Sequence, residues 1–164
     1  MTVRPCVKLF SLVAVVMLMA LVVVDVPATS ASTFAEQVIQ LTNYQRSRIM
    51  GPQCPQLVSS DALTRAAQGH ASDMASHNYF SHYSLNGASP WDRIRYTGYS
   101  ARRAAENIGA GNVSAEEVVN MWMRSPGHRY NLLNCRLHEI GVGVAENGGT
   151  TYGRYWVQDF GTAR

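Results

Sequence analysis

The chain lacks several features that would place it in a common functional class. It holds one lysine, Lys8, and three cysteines among 164 residues, and its formal net charge is only +3. So weak a charge argues against nucleic acid as a partner, because proteins that bind it present a strongly basic surface. The sequence has no internal repeat and no low-complexity tract. After residue 24 it also has no apolar run of the roughly 20 residues that cross a bilayer.

The first 31 residues have the three-part layout of a secretory signal peptide. Arg4 and Lys8 precede an apolar run over 9–24, and small residues follow Pro27. We therefore predict a cleaved signal peptide over 1–31 and one domain over 32–164. This domain should be secreted, extracellular or held in the cell envelope, without a transmembrane segment in its mature form, and monomeric. An uncleaved membrane anchor is the alternative.

The cysteine count agrees with export. Cys6 lies in the predicted signal peptide, which leaves Cys54 and Cys135 as a pair in an oxidising compartment. A disulfide between them closes a loop of about 80 residues and contributes up to about 4–5 kcal/mol in the chain-entropy model. Two free buried thiols are the alternative. Two cysteines alone do not complete a zinc site.

Capping signals and apolar periodicity predict five helices. Capping boxes begin at Thr33 and Ser114, Ser89 precedes a proline at the first helical position, and Ser125 is placed to cap the last helix. The predicted helices cover about 34–50, 61–77, 90–96, 115–125 and 126–133. The first should bury Phe34, Val38, Leu41 and Gln45, and the second Leu63, Ala67, His70 and Met74.

Three extended segments complete the prediction. Residues 105–110 form a short strand or an extended loop, and 139–145 and 152–160 have strand patterns on either side of Asn147-Gly148-Gly149. A glycine-rich turn between two such runs predicts an antiparallel hairpin. The order of elements predicts an α+β fold in which helices pack over a small antiparallel sheet.

Several motifs together resemble a bacterial member of the CAP superfamily, which comprises cysteine-rich secretory proteins, antigen 5 and pathogenesis-related 1 proteins. They occur in family order and cover nearly all of the predicted mature chain. The resemblance implies a secreted domain built as an α-β-α sandwich. The main matching segments are Leu63 to Ala67, Asn78 to His82, Ser89 to Ile94, Glu106 to Ile108, Trp122 to His128, Glu139 to Val144 and Tyr155 to Gly161.

The resemblance also implies a central cavity that many members line with two histidines and two glutamates. His82 matches the first histidine, Glu106 the first glutamate and His128 the second histidine. The second glutamate would stand at Arg124 or Ser125, so the tetrad is incomplete in this chain. We expect His82, Glu106, His128 and Ser125 to line the cavity.

Three uses of this cavity remain open at the level of sequence. His82, Glu106 and His128 are a reasonable set of zinc ligands that leaves the fourth position to water. The same three residues could serve a peptidase-like hydrolase, but neither Ser81 nor Ser125 lies in a nucleophile-elbow pattern. Alternatively, Glu106 and His128 bond each other or nearby backbone and hold the strand in place.

The missing carboxylate favours binding or a structural role over chemistry. The favoured prediction is a secreted, non-enzymatic domain whose cavity takes a small ligand or a divalent metal such as Zn²⁺, with an envelope component as the other possible partner. The alternative is a secreted hydrolase that uses His82, Glu106 and His128.

Other polar and aromatic side chains are assigned to the core or the surface. His70 and His77 are seven residues apart, which does not match the four-residue spacing of zinc proteases. We predict that His70 is a hydrogen-bonded core residue and that His138 lies on the surface. The three tryptophans, Trp91, Trp122 and Trp156, are predicted to be core aromatics.

Overall fold

Five helices and four strands follow one another in the computed structural model, which describes Met1 and residues 32–164. The predicted signal peptide therefore falls almost wholly outside the described residues, and it stays a prediction. The elements are α1 (Phe34–Met50), β1 (Val58–Ser59), α2 (Asp61–His77), α3 (Pro90–Tyr96), β2 (Ala101–Ala110), α4 (Ala115–Arg124), α5 (Pro126–Leu132), β3 (Glu139–Asn147) and β4 (Gly153–Ala163).

The strands form one sheet in the order β1-β3-β4-β2. The predicted hairpin of β3 and β4 is confirmed, and β2 pairs with β4 in antiparallel register. Two features differ from the prediction. The first is strand β1, which pairs in parallel with β3 and, at two residues, is too short to show a periodicity. The second is the start of β2 at Ala101, since the first half of this strand pairs with the end of β4.

Helix α2 covers one face of the sheet, where two glycines of β3 permit close contact. A Cβ atom on Gly141 would lie 2.1 Å from the carbonyl carbon of Leu63, and one on Gly143 would lie 2.3 Å from the amide nitrogen of Gln68. The absence of side chains at these two positions lets the helix backbone rest directly on the strand.

Helices α1, α4 and α5 cover the opposite face. Their apolar side chains join those of β3 and β4 in the largest cluster of the core, which includes Val38, Val118, Trp122, Leu132, Ile140 and Phe160. The sheet thus lies between two helical layers, and the predicted α+β sandwich is confirmed.

Three capping predictions are confirmed, and one is half correct. Thr33, Ser89 and Ser114 each begin a helix with a complete capping box. Ser125 occupies the N-cap position of α5, but its side chain makes no capping hydrogen bond.

The buried face of α1 differs from the predicted one. Val38, Thr42 and Arg46 are fully buried, whereas Phe34 is exposed and Gln45 is only partly buried. Thr42 accepts a hydrogen bond of 2.8 Å from Gln158, and Arg46 bonds several carbonyls. Because Thr42 and Arg46 have hydrogen-bond partners inside the protein, they can occupy buried positions that a pattern of apolar residues does not predict.

The prediction that all three tryptophans lie in the core is wrong for Trp91. Trp122 and Trp156 are buried, but Trp91 is 52% exposed. It stands on the seven-residue helix α3, which turns Pro90 and Ile94 toward the protein. A helix of two turns buries only a narrow stripe, so the neighbouring position faces solvent.

The predicted disulfide between Cys54 and Cys135 is confirmed, with Cα atoms 4.9 Å apart. It joins the segment after α1 to the segment after α5, so the two cysteines are 81 positions apart in sequence.

Candidate functional site

Glu106 is the centre of a hydrogen-bonded group on β2, which lies at one edge of the sheet. Its side chain is only 2% exposed. Oε1 lies 2.7 Å from Nδ1 of His82, and Oε2 lies 2.6 Å from Nη2 of Arg93. Both oxygens of the buried carboxylate are therefore engaged by cationic or neutral nitrogen donors.

Arg93 of α3 is a site residue that sequence reasoning missed. Besides the ion pair with Glu106, its Nη1 donates to the carbonyl oxygens of His82 and Ala88 and to the hydroxyl of Ser84. One guanidinium thus fastens the loop that carries His82 to the strand that carries Glu106. The sequence signal for this residue is its place in the family-matching segment Ser89 to Ile94, which does not by itself indicate a contact with Glu106.

His82 presents a hydrogen-bond acceptor to solvent. Because the Glu106 carboxylate can only accept, Nδ1 of His82 must donate, and in the neutral ring Nε2 then carries the lone pair. The side chain is 45% exposed, so this lone pair is accessible.

His128 lies across a cleft of about 440 Å³ from His82. The cleft is lined by Phe80, Ser81, His82, Tyr83, Ile108 and His128. Burial lowers the pKa of His128, and the neighbouring His82 lowers it further. The His128 ring is therefore biased toward its neutral form.

Asparagines, rather than the His128 ring, attach α5 to the edge of the sheet. Nδ2 of Asn107 donates to the backbone oxygen of His128 at 3.2 Å, and Nδ2 of Asn131 donates to Oδ1 of Asn107 at 2.9 Å. Asn131 also donates to the backbone oxygen of Glu106. Strand β2 is thus held in place, as the last of the three sequence-based alternatives predicts. The partner of the Glu106 side chain, however, is His82 and not His128.

Two other predicted residues stand away from the cleft surface. Ser125 connects α4 to α5 and does not line the cleft, and Glu106 lies behind His82. The Ser81 hydroxyl, which does line it, accepts from the backbone N–H of Tyr83. Among residues 32–164, no serine hydroxyl is hydrogen-bonded to the ring of His82 or His128.

The remaining histidines are placed much as expected. His70 is fully buried and donates from Nε2 to the carbonyl oxygen of Ser81 at 2.8 Å, but its Nδ1 has no partner in the described part of the chain. It is thus a core residue that is only half satisfied. His77 is exposed beside Asp73, and His138 lies on the surface.

A sequence model of the cysteine-rich secretory protein family, abbreviated CAP, matches residues 40–160. This chain belongs to the CAP family. The match spans every helix and strand except the first turns of α1 and the end of β4.

Two Bacillus subtilis proteins are similar to this CAP chain. The uncharacterized protein YkwD is 38% identical over 132 residues, which is 80% of this chain and 48% of YkwD. The uncharacterized membrane protein YlbC is 33% identical over 79% of this chain and 34% of its own length. The chain therefore spans less than half the length of either relative.

Solved structures carry the same fold. An extracellular protein containing an SCP domain from Bacillus anthracis is 33% identical, with a TM-score of 0.68 over 78% of this chain and 40% of that one. An outer surface protein from Borrelia burgdorferi has a TM-score of 0.69 at 23% identity over 79% of this chain and 92% of that one, a likeness that shows the fold alone. Within residues 32–164 of the CAP chain, none of the helices has the length and apolar character that crossing a membrane requires.

The CAP cleft offers a poor fit to a divalent cation as it is arranged. Both oxygens of Glu106 are already engaged, and the Arg93 guanidinium places a fixed positive charge against that carboxylate. In the described residues, no group of three histidine, cysteine, aspartate or glutamate side chains is placed to hold a metal ion. Among the described residues that line the cleft, the imidazoles of His82 and His128 would be left as nitrogen ligands for it.

Proposed function

We propose that this CAP domain is exported and binds a small ligand between His82 and His128 without converting it. The signal-peptide pattern, the disulfide and the likeness to an extracellular Bacillus anthracis protein support the export. The cleft of about 440 Å³ supports the binding, because its volume suits a small molecule.

The lining of the cleft supports one chemical class of ligand. Phe80, Tyr83 and Ile108 provide an apolar surface, and Nε2 of His82 provides an acceptor. A matching ligand has an apolar or aromatic face and at least one hydroxyl or amide N–H that donates to His82.

The observation that carries this proposal is the engagement of both Glu106 carboxylate oxygens, one by His82 and one by Arg93. The carboxylate orients the His82 ring and fixes its tautomer, which prepares a binding group. Covalent catalysis would require a nucleophile beside the ring as well. In residues 32–164 neither ring has a serine hydroxyl as a hydrogen-bond partner.

Nuclear magnetic resonance of histidine side chains tests the binding. Fragments with an aromatic ring and a hydroxyl or amide group should shift the ¹⁵N signals of His82 and His128 together and saturably. His82→Ala or His128→Ala should each weaken binding, whereas His138→Ala, an exposed control, should not. A screen in which no fragment moves both rings would contradict the proposal.

A hydrolase is the second candidate, and one contact favours it. The 2.7 Å contact between Glu106 and His82 is the orienting half of a general base that could activate water. Incubation with ester and peptide libraries tests this activity, with Glu106→Gln as the diagnostic variant. Turnover that Glu106→Gln abolishes would establish the hydrolase, and turnover that survives it would come from elsewhere.

Zinc binding is tested by calorimetric titration. Since Arg93 opposes a cation at Glu106, we expect the wild type to bind zinc no better than the His82→Ala/His128→Ala double variant does. A site that the double variant loses, and that weakens below about pH 6 as the imidazoles protonate, would restore zinc as the ligand.

A further inference from the structure

A second concave surface lies where the end of α1 meets α5 and the segment after it. We call it the α5 pocket and define it by Met50, Arg129, Tyr130, Leu133, Cys135 and Arg136. Its volume is about 560 Å³, and its lining is mainly apolar. It shares no lining residue with the His82–His128 cleft, so it is independent of the ligand binding proposed above and rests only on the proposed export.

The rim of the α5 pocket is positively charged. Arg129 and Arg136 are exposed, and neither forms an ion pair among the described residues. Within residues 32–164, no aspartate or glutamate lines the pocket. The surrounding sequence, residues 118–138, contains three arginines and no acidic residue.

A third guanidinium is buried behind the wall of the pocket. Arg46 is fully buried, and Nη1 donates to the carbonyl oxygens of Leu132 and Asn134, while Nη2 donates to those of Pro55 and Leu137. In the described part of the chain, no carboxylate pairs with it. Its charge is therefore met only by peptide dipoles and reinforces the positive potential of the pocket.

The backbone around the α5 pocket is held in place by a buried arginine and a disulfide. Arg46 binds the segment after α5 to α1, and the Cys54–Cys135 disulfide binds the same segment to the loop after α1. A partner that docks here loses little free energy to ordering of the wall, because the wall is already fixed.

We propose that the α5 pocket docks a peptide segment of an extracytoplasmic partner, in which an apolar side chain is flanked by carboxylates. The apolar side chain enters between Met50 and Leu133, and the carboxylates pair with Arg129 and Arg136. The exposed ring of Tyr130 covers the inserted side chain. Aromatic and arginine side chains are the residues that most often dominate such contacts.

The shape and lining of the pocket favour a peptide over other anions. A purely polar polyanion leaves the apolar floor without a partner, and the floor is the larger part of the lining. A lipid surface is reached by protruding apolar side chains, whereas this floor is recessed between α1 and α5.

Fluorescence anisotropy with a short fluorescein-labelled peptide tests the proposal. The probe is a peptide of leucines between glutamates, and the purified protein keeps its disulfide. We expect saturable binding that weakens at least about tenfold in Arg129→Gln/Arg136→Gln and also weakens in Tyr130→Ser. Arg102→Gln/Arg103→Gln, which removes two exposed arginines from β2, should bind as the wild type does.

Several results would overturn the proposal. Absence of saturable binding, or an equal loss in the two double-arginine variants, would show that the pocket does not select the peptide. Equal binding of a peptide with serine in place of leucine would identify a polyanion site. Binding of vesicles rich in anionic lipid in place of the peptide would identify a membrane contact.

Discussion

Asp159 of β4 lies directly opposite Glu106 of β2, and both side chains are buried. Neither oxygen of Asp159 has a hydrogen-bond donor in the described part of the chain. Burial raises the pKa of Asp159 well above its ordinary value, and the charge of Glu106 raises it further, against the opposing effect of Arg93. A proton retained on Asp159 turns one of its oxygens into a hydrogen-bond donor toward Glu106. The proton also removes the repulsion between the two buried carboxylates.

The first prediction concerns the pH dependence that Asp159 imposes. Its carboxyl ionises near pH 3.8 in the unfolded chain but at higher pH in the folded one. Between these values the folded state binds more protons, so the free energy of unfolding falls as pH rises. Asp159→Asn removes this contribution while keeping the shape. The stability of the Asp159→Asn variant relative to the wild type should therefore increase with pH above about 4.

Denaturant unfolding at a series of pH values measures this effect. Asp61→Asn, a change at an exposed carboxylate in the first turn of α2, serves as the matched control and should follow the wild-type profile closely. A constant difference between Asp159→Asn and the wild type across the pH range would mean that Asp159 ionises normally.

The second prediction concerns Arg93. Arg93→Met leaves the buried Glu106 carboxylate without its cationic partner and frees the loop of His82, so we expect a loss of about 3 kcal/mol or more. The double variant with Glu106→Gln should lose less than the sum of the single variants, because the uncompensated charge is gone. Additive losses in a chemical-denaturation cycle would show that the two side chains are not coupled.

The third prediction concerns the buried Arg46. Arg46→Met removes the donor to four carbonyl oxygens, of which that of Asn134 keeps its bond from the backbone N–H of Leu137. Each buried carbonyl left unpaired is costly, so the loss should exceed about 3 kcal/mol. Arg48→Met, two residues away on the exposed side of α1, should change stability by less than about 0.5 kcal/mol. Similar losses in the two variants would refute a structural role for Arg46.

The fourth prediction concerns the Cys54–Cys135 disulfide. Replacing both cysteines with serine increases the conformational entropy of the unfolded chain. The free energy of unfolding should therefore fall by up to about 4–5 kcal/mol. Thermal unfolding of the wild type with and without reductant gives the comparison, and reduction should have no effect on the serine variant. Titration of two free thiols in the unreduced, unfolded protein would show that the bond does not form.

The fifth prediction concerns His70. Burial lowers its pKa from the ordinary 6.5, and the nearby Arg93 lowers it further. Below pH 6.5 the unfolded chain binds more protons, so stability is complete above that value and is lost as pH falls toward the lowered pKa. His70→Gln, which keeps the donor to Ser81, should lose less stability than the wild type between pH 7 and 5.

Unfolding curves at pH 7 and pH 5 measure the His70 effect. The exposed histidine of α2 offers the matched control, since His77→Gln should retain the wild-type acid sensitivity. If His70→Gln is as acid-sensitive as the wild type, another group is responsible.

Local signals were sufficient for most elements of this CAP domain. Thr33, Ser89 and Ser114 mark helix starts through bonds that span three residues, and the turn at Asn147-Gly148-Gly149 marks the hairpin. The family motifs placed His82 and His128 at one cleft. The helix starts and the hairpin depend on neighbours in sequence, whereas the pairing of His82 with His128 followed from the resemblance to the family.

The helices, the hairpin, the cysteine pair and the family could be predicted from the order of residues. The contact of Arg93 with Glu106, the burial of Arg46 among carbonyl oxygens and the position of Asp159 opposite Glu106 came from the packing of the folded chain. These side chains are far apart in sequence, from 13 positions for Arg93 and Glu106 to 91 for Arg46 and Leu137. Strand register and helix packing bring them together, and neither leaves a periodic signal in the residues that meet.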